Sequence, residues 1–204
     1  MRAARNLLHR LLMRPRHLAT LLAPLAVTLA AAPAARAGGG YLSAGLGPGA
    51  GLDGNISQSF STSDSNSARL SLGQRIDNVA LEASLFGAGL IGADQLTGVG
   101  AEYDTLSLGV DLKYFFGLSG PLELYPKIGL NKTWLQEPSG SNLDYDGTGW
   151  DLGAGLQFTF DTEATMVAAW IDYTRQYTDL DDSNRQRDLG GEVGMLTVGL
   201  SIGF

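Results

Sequence analysis

The chain has 204 residues, of which 17% are charged, 28 are glycine and none is cysteine. The absence of cysteine excludes disulfide frameworks, thiolate metal sites and cysteine nucleophiles. Both histidines and six of the 14 basic residues precede residue 38, whereas all 21 acidic residues follow it. The last 167 residues therefore carry a net charge of −13 and lack the basic patch that nucleic-acid binding requires.

The first predicted element is an export signal over residues 1–37. A basic stretch is followed by fifteen apolar residues and then by the small-x-small site Ala35-Arg36-Ala37. This order is typical of a secretory signal peptide. The alternative, a membrane anchor, needs about 20 apolar residues, and the stretch here is shorter and contains Pro24. We predict cleavage after Ala37, and Met13 as the initiator of a compact signal.

From residue 38 onwards the sequence alternates between apolar residues and small or polar ones. Alternation at every second position is the pattern of strands with two unlike faces. It is clearest at the end of the chain, where Leu196, Val198, Leu200, Ile202 and Phe204 alternate with small or less apolar residues. We predict eight strands, over 40–47, 68–76, 79–91, 105–117, 122–135, 149–160, 164–178 and 193–204.

The connections between these strands alternate between long and short. The long ones are 48–67, 92–104, 136–148 and 179–192, and the short ones are 77–78, 118–121 and 161–163. Outer-membrane barrels have this asymmetry, with short periplasmic turns and long external loops. We therefore predict an all-β fold over residues 38–204: an eight-stranded antiparallel up-and-down transmembrane β-barrel in the outer membrane, with its loops outside and both mature termini in the periplasm.

The polar face of the strands is composed mostly of small residues. Nine charged residues also fall on it: Arg69, Arg75, Glu82, Asp111, Lys113, Glu123, Lys127, Asp151 and Asp172. A soluble barrel such as a lipocalin would show the same alternation, but its outer face should be densely charged. Turning these nine charges towards lipid would cost on the order of 20 kcal/mol, more than the ~5–15 kcal/mol net stability of a typical domain. We therefore predict that they form a charge network in the lumen.

Two interpretations of this network remain open. In the first, the charges satisfy one another and plug the barrel, since eight strands leave an interior about wide enough for side chains alone. In the second, rearranging ion pairs gate a narrow porin-like pore for water, ions or small solutes. Arg75 and Glu82 flank the first short turn, and we predict that they pair across the strands.

Aromatic residues on the apolar face cluster near strand ends. One group is Tyr114, Phe116, Phe158 and Phe160, and the other is Trp134 and Trp150. Such clusters are typical of the two interfacial girdles of a membrane barrel, where rings lie at headgroup level. Ordinary core aromatics are the alternative.

Three segments carry a family resemblance: GYLSAGLG at 40–47, LGQRIDNVALE at 72–82 and the terminal LTVGLSIGF at 196–204. On these segments the mature chain resembles small outer-membrane barrels typified by the OmpA membrane domain, OmpX and the opacity proteins. The resemblance implies that the barrel-assembly machinery reads the terminal segment. The chain stops at Phe204 without a trailing peptidoglycan-binding domain, so anchoring to the cell wall is not expected.

The function predicted from these features is structural or surface-interacting rather than enzymatic. Barrel proteases, deacylases and palmitoyltransferases work with a histidine, and residues 38–204 contain none. No cofactor and no dedicated metal site is predicted. The predicted loops hold thirteen acids against two bases, so they suit bridging calcium or magnesium shared with lipopolysaccharide, and an extracellular partner of the loops is an open possibility.

Overall fold

The computed structural model describes residues 39–48, 51–56, 60–61, 66–93, 100–136, 144–161, 165–181 and 188–204. Eight long strands form its sheet: β1 Gly40–Pro48, β2 Asn66–Ile76, β3 Val79–Ala93, β4 Gly100–Tyr114, β5 Leu122–Gln136, β6 Asp144–Asp161, β7 Met166–Asp181 and β8 Asp188–Gly203. Within the described ranges, no helix has the length and apolar character to cross a bilayer. The predicted signal peptide, its cleavage site and Met13 lie outside the described residues.

The sheet is antiparallel and closes on itself. Each strand pairs with the next in the chain, and β1 also pairs with β8 from Tyr41↔Gly203 to Leu46↔Val198. A further backbone bond, Phe204 N–H to the Gly40 carbonyl at 2.8 Å, ties the two ends of the chain together. Closure leaves no long unpaired edge, and in lipid only such a closed sheet satisfies its backbone. The predicted eight-stranded barrel is confirmed.

The strands reach further into the predicted loops than the alternation suggested. β6 begins at Asp144 instead of 149, β8 begins at Asp188 instead of 193, and β7 continues to Asp181 instead of 178. The predicted loop 48–67 also contains two short strands, Gly51–Gly54 paired with β8 and Phe60–Ser61 paired with β3. The extensions lack the outward apolar residues on which the sequence prediction relied: at the end of β7, for example, Asp179 and Asp181 are the exposed residues.

The short connections lie at the end of the barrel opposite the long loops. Asp77 and Asn78 join β2 to β3, and Asp77 has a left-handed φ of 52°, which aspartate tolerates in tight turns. The predicted strand 105–117 is interrupted at Phe115, after which the short strand Phe116–Ser119 pairs with β5 through a register shift. Residues 162–164 of the third turn lie outside the described part of the chain.

Alternation sorts the side chains into an outer apolar face and an inner polar one. On β5, for example, Leu130 is 71% exposed on the outside whereas the adjacent Asn131 is 5% exposed in the interior. Leucine, isoleucine and valine side chains at successive outward positions of the long strands are exposed in the same way. An apolar surface of this extent is stable where hydrocarbon covers it.

Candidate functional site in the barrel lumen

Arg69 is the hub of the charges at the middle of the lumen. Its Nη2 contacts Glu82 Oε1 on β3 and Asp111 Oδ2 on β4, both at 2.8 Å, and its Nη1 contacts Asp172 Oδ1 on β7 at 3.1 Å. All four residues occupy inward positions of their strands and are buried. A planar guanidinium with five donors is suited to hold several carboxylates at once.

Two lysines extend this arrangement. Lys113 Nζ lies 2.5 Å from Glu82 Oε2, and Lys127 Nζ lies 2.7 Å from Asp172 Oδ1. The Tyr41 hydroxyl donates a further hydrogen bond of 2.8 Å to Glu82 Oε2. Because burying unpaired charge is costly, these reciprocal contacts are what makes the charged interior tolerable.

Asp151 on β6 lies beside the same group of residues. Its Oδ2 accepts a weak hydrogen bond of 3.4 Å from Asn131 Nδ2. Together these side chains form the central charge cluster, which consists of Arg69, Glu82, Asp111, Lys113, Lys127, Asp151 and Asp172. The cluster contains three bases and four acids. Seven of the nine charges placed on the polar face by the sequence therefore lie together.

The other two predicted lumen charges, Arg75 and Glu123, lie at the short-turn end. Their bidentate contact measures 2.8 and 2.7 Å, and the guanidinium stacks on the Phe115 ring at 4.0 Å. The predicted pairing of Arg75 with Glu82 is wrong. In the register of β2 and β3, Gly73 lies opposite Glu82, so Arg75 is left nearer the barrel end, within reach of Glu123.

An aromatic layer separates this terminal pair from the central charge cluster. It consists of Tyr41, Phe115 and Tyr125, packed with Ala80, and all four are buried. The rings of Phe115 and Tyr125 lie 5.1 Å apart. Lys113 Nζ lies 4.9 Å from the centre of the Tyr125 ring, a cation–π contact that links the aromatic layer to the charges.

The loop-side end of the lumen is apolar, which the sequence analysis missed. The apolar side chains there point into the lumen and are called the outer apolar layer because they lie towards the external loops. The layer consists of Ile56, Phe86, Ala88, Leu135, Tyr145, Leu180, Val193 and Met195. Leu135 is 0% and Ile56 2% exposed. Ile56, Tyr145 and Leu180 lay in predicted loops, where no inward position was assigned. The sequence does carry a signal for these inward positions, an alternation in which the outward residues are polar and the inward ones apolar. Leu180, for example, points inward between Asp179 and Asp181, which point outward.

Two small cavities lie among the described residues of the lumen. A cavity of about 10 Å³ adjoins the central charge cluster beside Thr197, and another of about 10 Å³ lies within the outer apolar layer beside Leu135. A cavity of roughly 10–15 Å³ holds a single water molecule. The described residues also contain no group of three or more histidine, cysteine or acidic side chains that would hold a metal ion.

The residues predicted as girdles lie on the outer face. Tyr114 and Phe116 are in ring contact at 4.7 Å, as are Phe158 and Phe160 at 4.8 Å. At the loop end Trp150 stacks on Tyr177 at 4.0 Å, whereas Trp134 is partly buried. Trp150 and Phe160 are ten residues apart on β6, which at ~3.3 Å per residue and a ~40° tilt separates the rims by about 25 Å, the height of the apolar band of such barrels.

Basic and acidic side chains pair on the outer face near the loop end. Lys132 contacts Asp146, and Arg175 contacts Asp53 at 3.1 Å and Glu192 at 2.6 Å. These pairs bring three of the predicted loop acids, Asp53, Asp146 and Glu192, together with two basic residues of the strands. The outward positions of the C-terminal segment are all exposed: Leu196, Val198, Leu200, Ile202 and Phe204.

Similarity to known proteins is found in a family model and in solved structures. A family model described as "Outer membrane protein beta-barrel domain" matches residues 19–204. The crystal structure of Neisserial surface protein A is 17% identical and covers 81% of this chain and 97% of its own, with a TM-score of 0.56. That of Ail, the attachment invasion locus protein of Yersinia pestis, is 16% identical and covers 82% of this chain and 99% of its own, with a TM-score of 0.49. No curated protein matches the chain.

Proposed function

The chain belongs to the outer membrane protein beta-barrel domain family, and from this premise we propose that it is a closed, non-enzymatic barrel with a structural or surface-interaction role. It is a protein of the outer membrane. The proposal adds that its lumen does not conduct, that its loops face outside and that its mature termini lie in the periplasm after removal of the signal peptide.

The observation that carries this proposal is the filling of the lumen at three successive levels. The aromatic layer and the Arg75–Glu123 pair occupy the short-turn end, the central charge cluster occupies the middle, and the outer apolar layer occupies the loop end. The cavities at the middle and at the loop end have room for about one water molecule each. This filling favours a plugged barrel over the narrow porin-like pore.

Planar-bilayer recording tests the closed lumen. The purified protein is first shown to be folded by its shift in electrophoretic mobility on boiling, and a sixteen-stranded porin, whose barrel leaves an aqueous channel, serves as the positive control. We expect no resolved conductance steps above those of a mock preparation. Reproducible steps from the folded protein would contradict the closed lumen and support the pore.

The surface-interaction role is proposed from the loop end of the barrel. Acidic side chains there, such as Asp53 and Asp146, are mostly exposed even while they pair, so they are placed to meet a partner or cations shared with lipopolysaccharide. Grafting the four loops onto another eight-stranded barrel should transfer any binding of an extracellular partner. Binding that stays with the original strands would refute a loop-borne interaction.

The absence of catalysis is proposed from the side chains available. Residues 38–204 contain neither histidine nor cysteine, and most acids of the central charge cluster are occupied by bases. Incubation of the folded protein with lipopolysaccharide and phospholipid, followed by mass spectrometry, should leave both substrates intact. Loss or transfer of an acyl chain would show that the protein is an enzyme.

We also propose that the assembly machinery recognises the outward row that ends at Phe204. Phe204 is 76% exposed, so truncating its ring costs little packing and keeps its backbone hydrogen bond to Gly40. Phe204→Ala should therefore reduce assembly in cells, while refolding of the purified protein into detergent proceeds. Equal losses in cells and in detergent would indicate a folding defect and contradict the proposal.

A further inference from the structure

Two acids of the central charge cluster approach each other across a glycine. Asp111 on β4 is in register with Gly129 on β5, which is in register with Asp151 on β6. Both aspartates are 2% exposed. A Cβ atom at Gly129 would collide with Oδ1 of Asp111 and with Oδ1 of Asp151. The two carboxyl groups therefore share the space that a side chain at position 129 would otherwise fill.

In each of these two carboxyl groups, one oxygen has a hydrogen-bond donor and the other has none among the described residues. Asp111 Oδ2 accepts from Arg69, and Asp151 Oδ2 accepts from Asn131, whereas neither Oδ1 has a donor among the described residues. Both Oδ1 atoms border the position that a Cβ atom at Gly129 would occupy, so the two carboxyl groups face each other across that small space. A hydrogen bond between two carboxyl groups requires a proton on one of them, because an ionised carboxylate only accepts.

The charges around the pair lead to the same inference. Titratable or charged groups from most strands are buried in the same interior: Tyr41 (β1), Arg69 (β2), Glu82 (β3), Lys113 (β4), Tyr125 and Lys127 (β5) and Asp172 (β7). Arg69 and Lys127 also line the cavity beside the pair, to which β8 contributes Thr197 and Met195. With every group ionised, the cluster holds four acids against three bases. Two neighbouring carboxylates in a dry interior repel strongly, and one proton removes both the repulsion and the imbalance.

We propose that Asp111 and Asp151 hold one proton between them and form a proton-binding site at the centre of the lumen. Asp151 is the better candidate to carry it, because Asp111 is already paired with Arg69 whereas Asp151 has only a weak amide contact. The site makes the interior of the barrel sensitive to pH. It does not depend on whether the barrel conducts, so the bilayer recording and the experiments below test separate claims.

Infrared spectroscopy of the folded protein with ¹³C-labelled aspartate side chains detects the proton directly. At neutral pH the wild type should show the carbonyl band of a protonated aspartic acid. Asp151→Asn should remove that band while keeping the fold, because its amide can donate to Asp111 Oδ1 in place of the proton. The matched control is Asp146→Asn, which alters an exposed pair with Lys132 and should leave the band unchanged.

The outcomes of this experiment separate a proton from a metal cation. Absence of the band in the wild type at neutral pH would overturn the proposal, as would a band that persists in Asp151→Asn. Absence of the band in the wild type is decisive even if the variant does not fold. Disappearance of the band on replacing choline chloride by sodium chloride would show that a cation occupies the pair, which would also overturn it.

Unfolding equilibria give a second, independent measurement. Free aspartates release their protons near pH 4, so the folded state binds one more proton than the unfolded chain at neutral pH, and stability falls as pH rises. The unfolding constant should increase by up to about tenfold per pH unit in this range. Asp151→Asn should remove this dependence, whereas Asp146→Asn should keep it. A wild type whose stability does not change with pH would contradict the shared proton.

Discussion

The middle and the loop end of the lumen close the same tube by different physical means. The central charge cluster fills its level with seven ionisable side chains whose contacts are directional, and the outer apolar layer fills its level with side chains such as Leu135 and Leu180 that form no ion pairs. Loss of a charge leaves its partners uncompensated, whereas loss of an apolar side chain leaves a cavity. The two levels should therefore fail differently when they are mutated.

The largest effect is expected from Arg69→Ala. It removes the base that contacts Glu82, Asp111 and Asp172 together and leaves three buried acids with two lysines. We expect a loss of about 3–5 kcal/mol in the free energy of unfolding, measured with urea in lipid vesicles. Arg175→Ala, on the exposed outer face, is the control and should cost much less, because water screens its ion pairs. Equal losses in the two variants would contradict the role of Arg69 as hub.

The next largest loss of stability is expected from Leu135→Ala, which tests the packing of the outer apolar layer. Leu135 is completely buried, so truncation leaves a cavity and should cost about 2–5 kcal/mol with little dependence on salt. The control is Leu130→Ala, since Leu130 faces outward on the same strand and lipid can occupy the vacated space. A smaller loss at Leu135 than at Leu130 would mean that the outer apolar layer is loosely packed.

Arg75→Ala should have an intermediate effect, because this pair combines features of both levels. The Arg75 and Glu123 side chains are each 20% exposed, so Glu123 can be rehydrated once its partner is lost. We expect a loss of about 1–2 kcal/mol in urea unfolding. Arg75→Lys should recover only part of it, since lysine provides neither the bidentate fork nor the same stacking on Phe115. Complete rescue by lysine would show that charge alone matters.

The smallest effect is expected at the outer rim. Lys132→Ala breaks an exposed pair with Asp146 and should cost less than about 1 kcal/mol, with the difference from wild type disappearing at high salt. The same salt titration on Arg69→Ala should leave most of its deficit in place, because its partners are buried. A salt response of equal size in both variants would remove the distinction between buried and exposed charges.

The outer apolar layer was missed because the apolar alternation changes sides at the loop end of the strands. Within the band between the girdles the outward side is apolar, but beyond it Asp179 and Asp181 face outward while Leu180 faces the lumen. The alternation continues there with its polarity inverted, because water replaces lipid outside the strand. Reading only the outward apolar pattern therefore ended β7 too early and assigned Leu180 to a loop.

The sequence by itself determined the barrel, its eight strands and the face on which each lumen charge lies, because side chains alternate strictly along a strand and lipid accepts only one kind of face. The tertiary structure decided which charges meet. The register between strands places Glu82 opposite Gly73 instead of Arg75, and it brings Asp111 and Asp151 together over Gly129. Such contacts depend on the stagger of neighbouring strands around a closed sheet, and no single strand encodes that stagger.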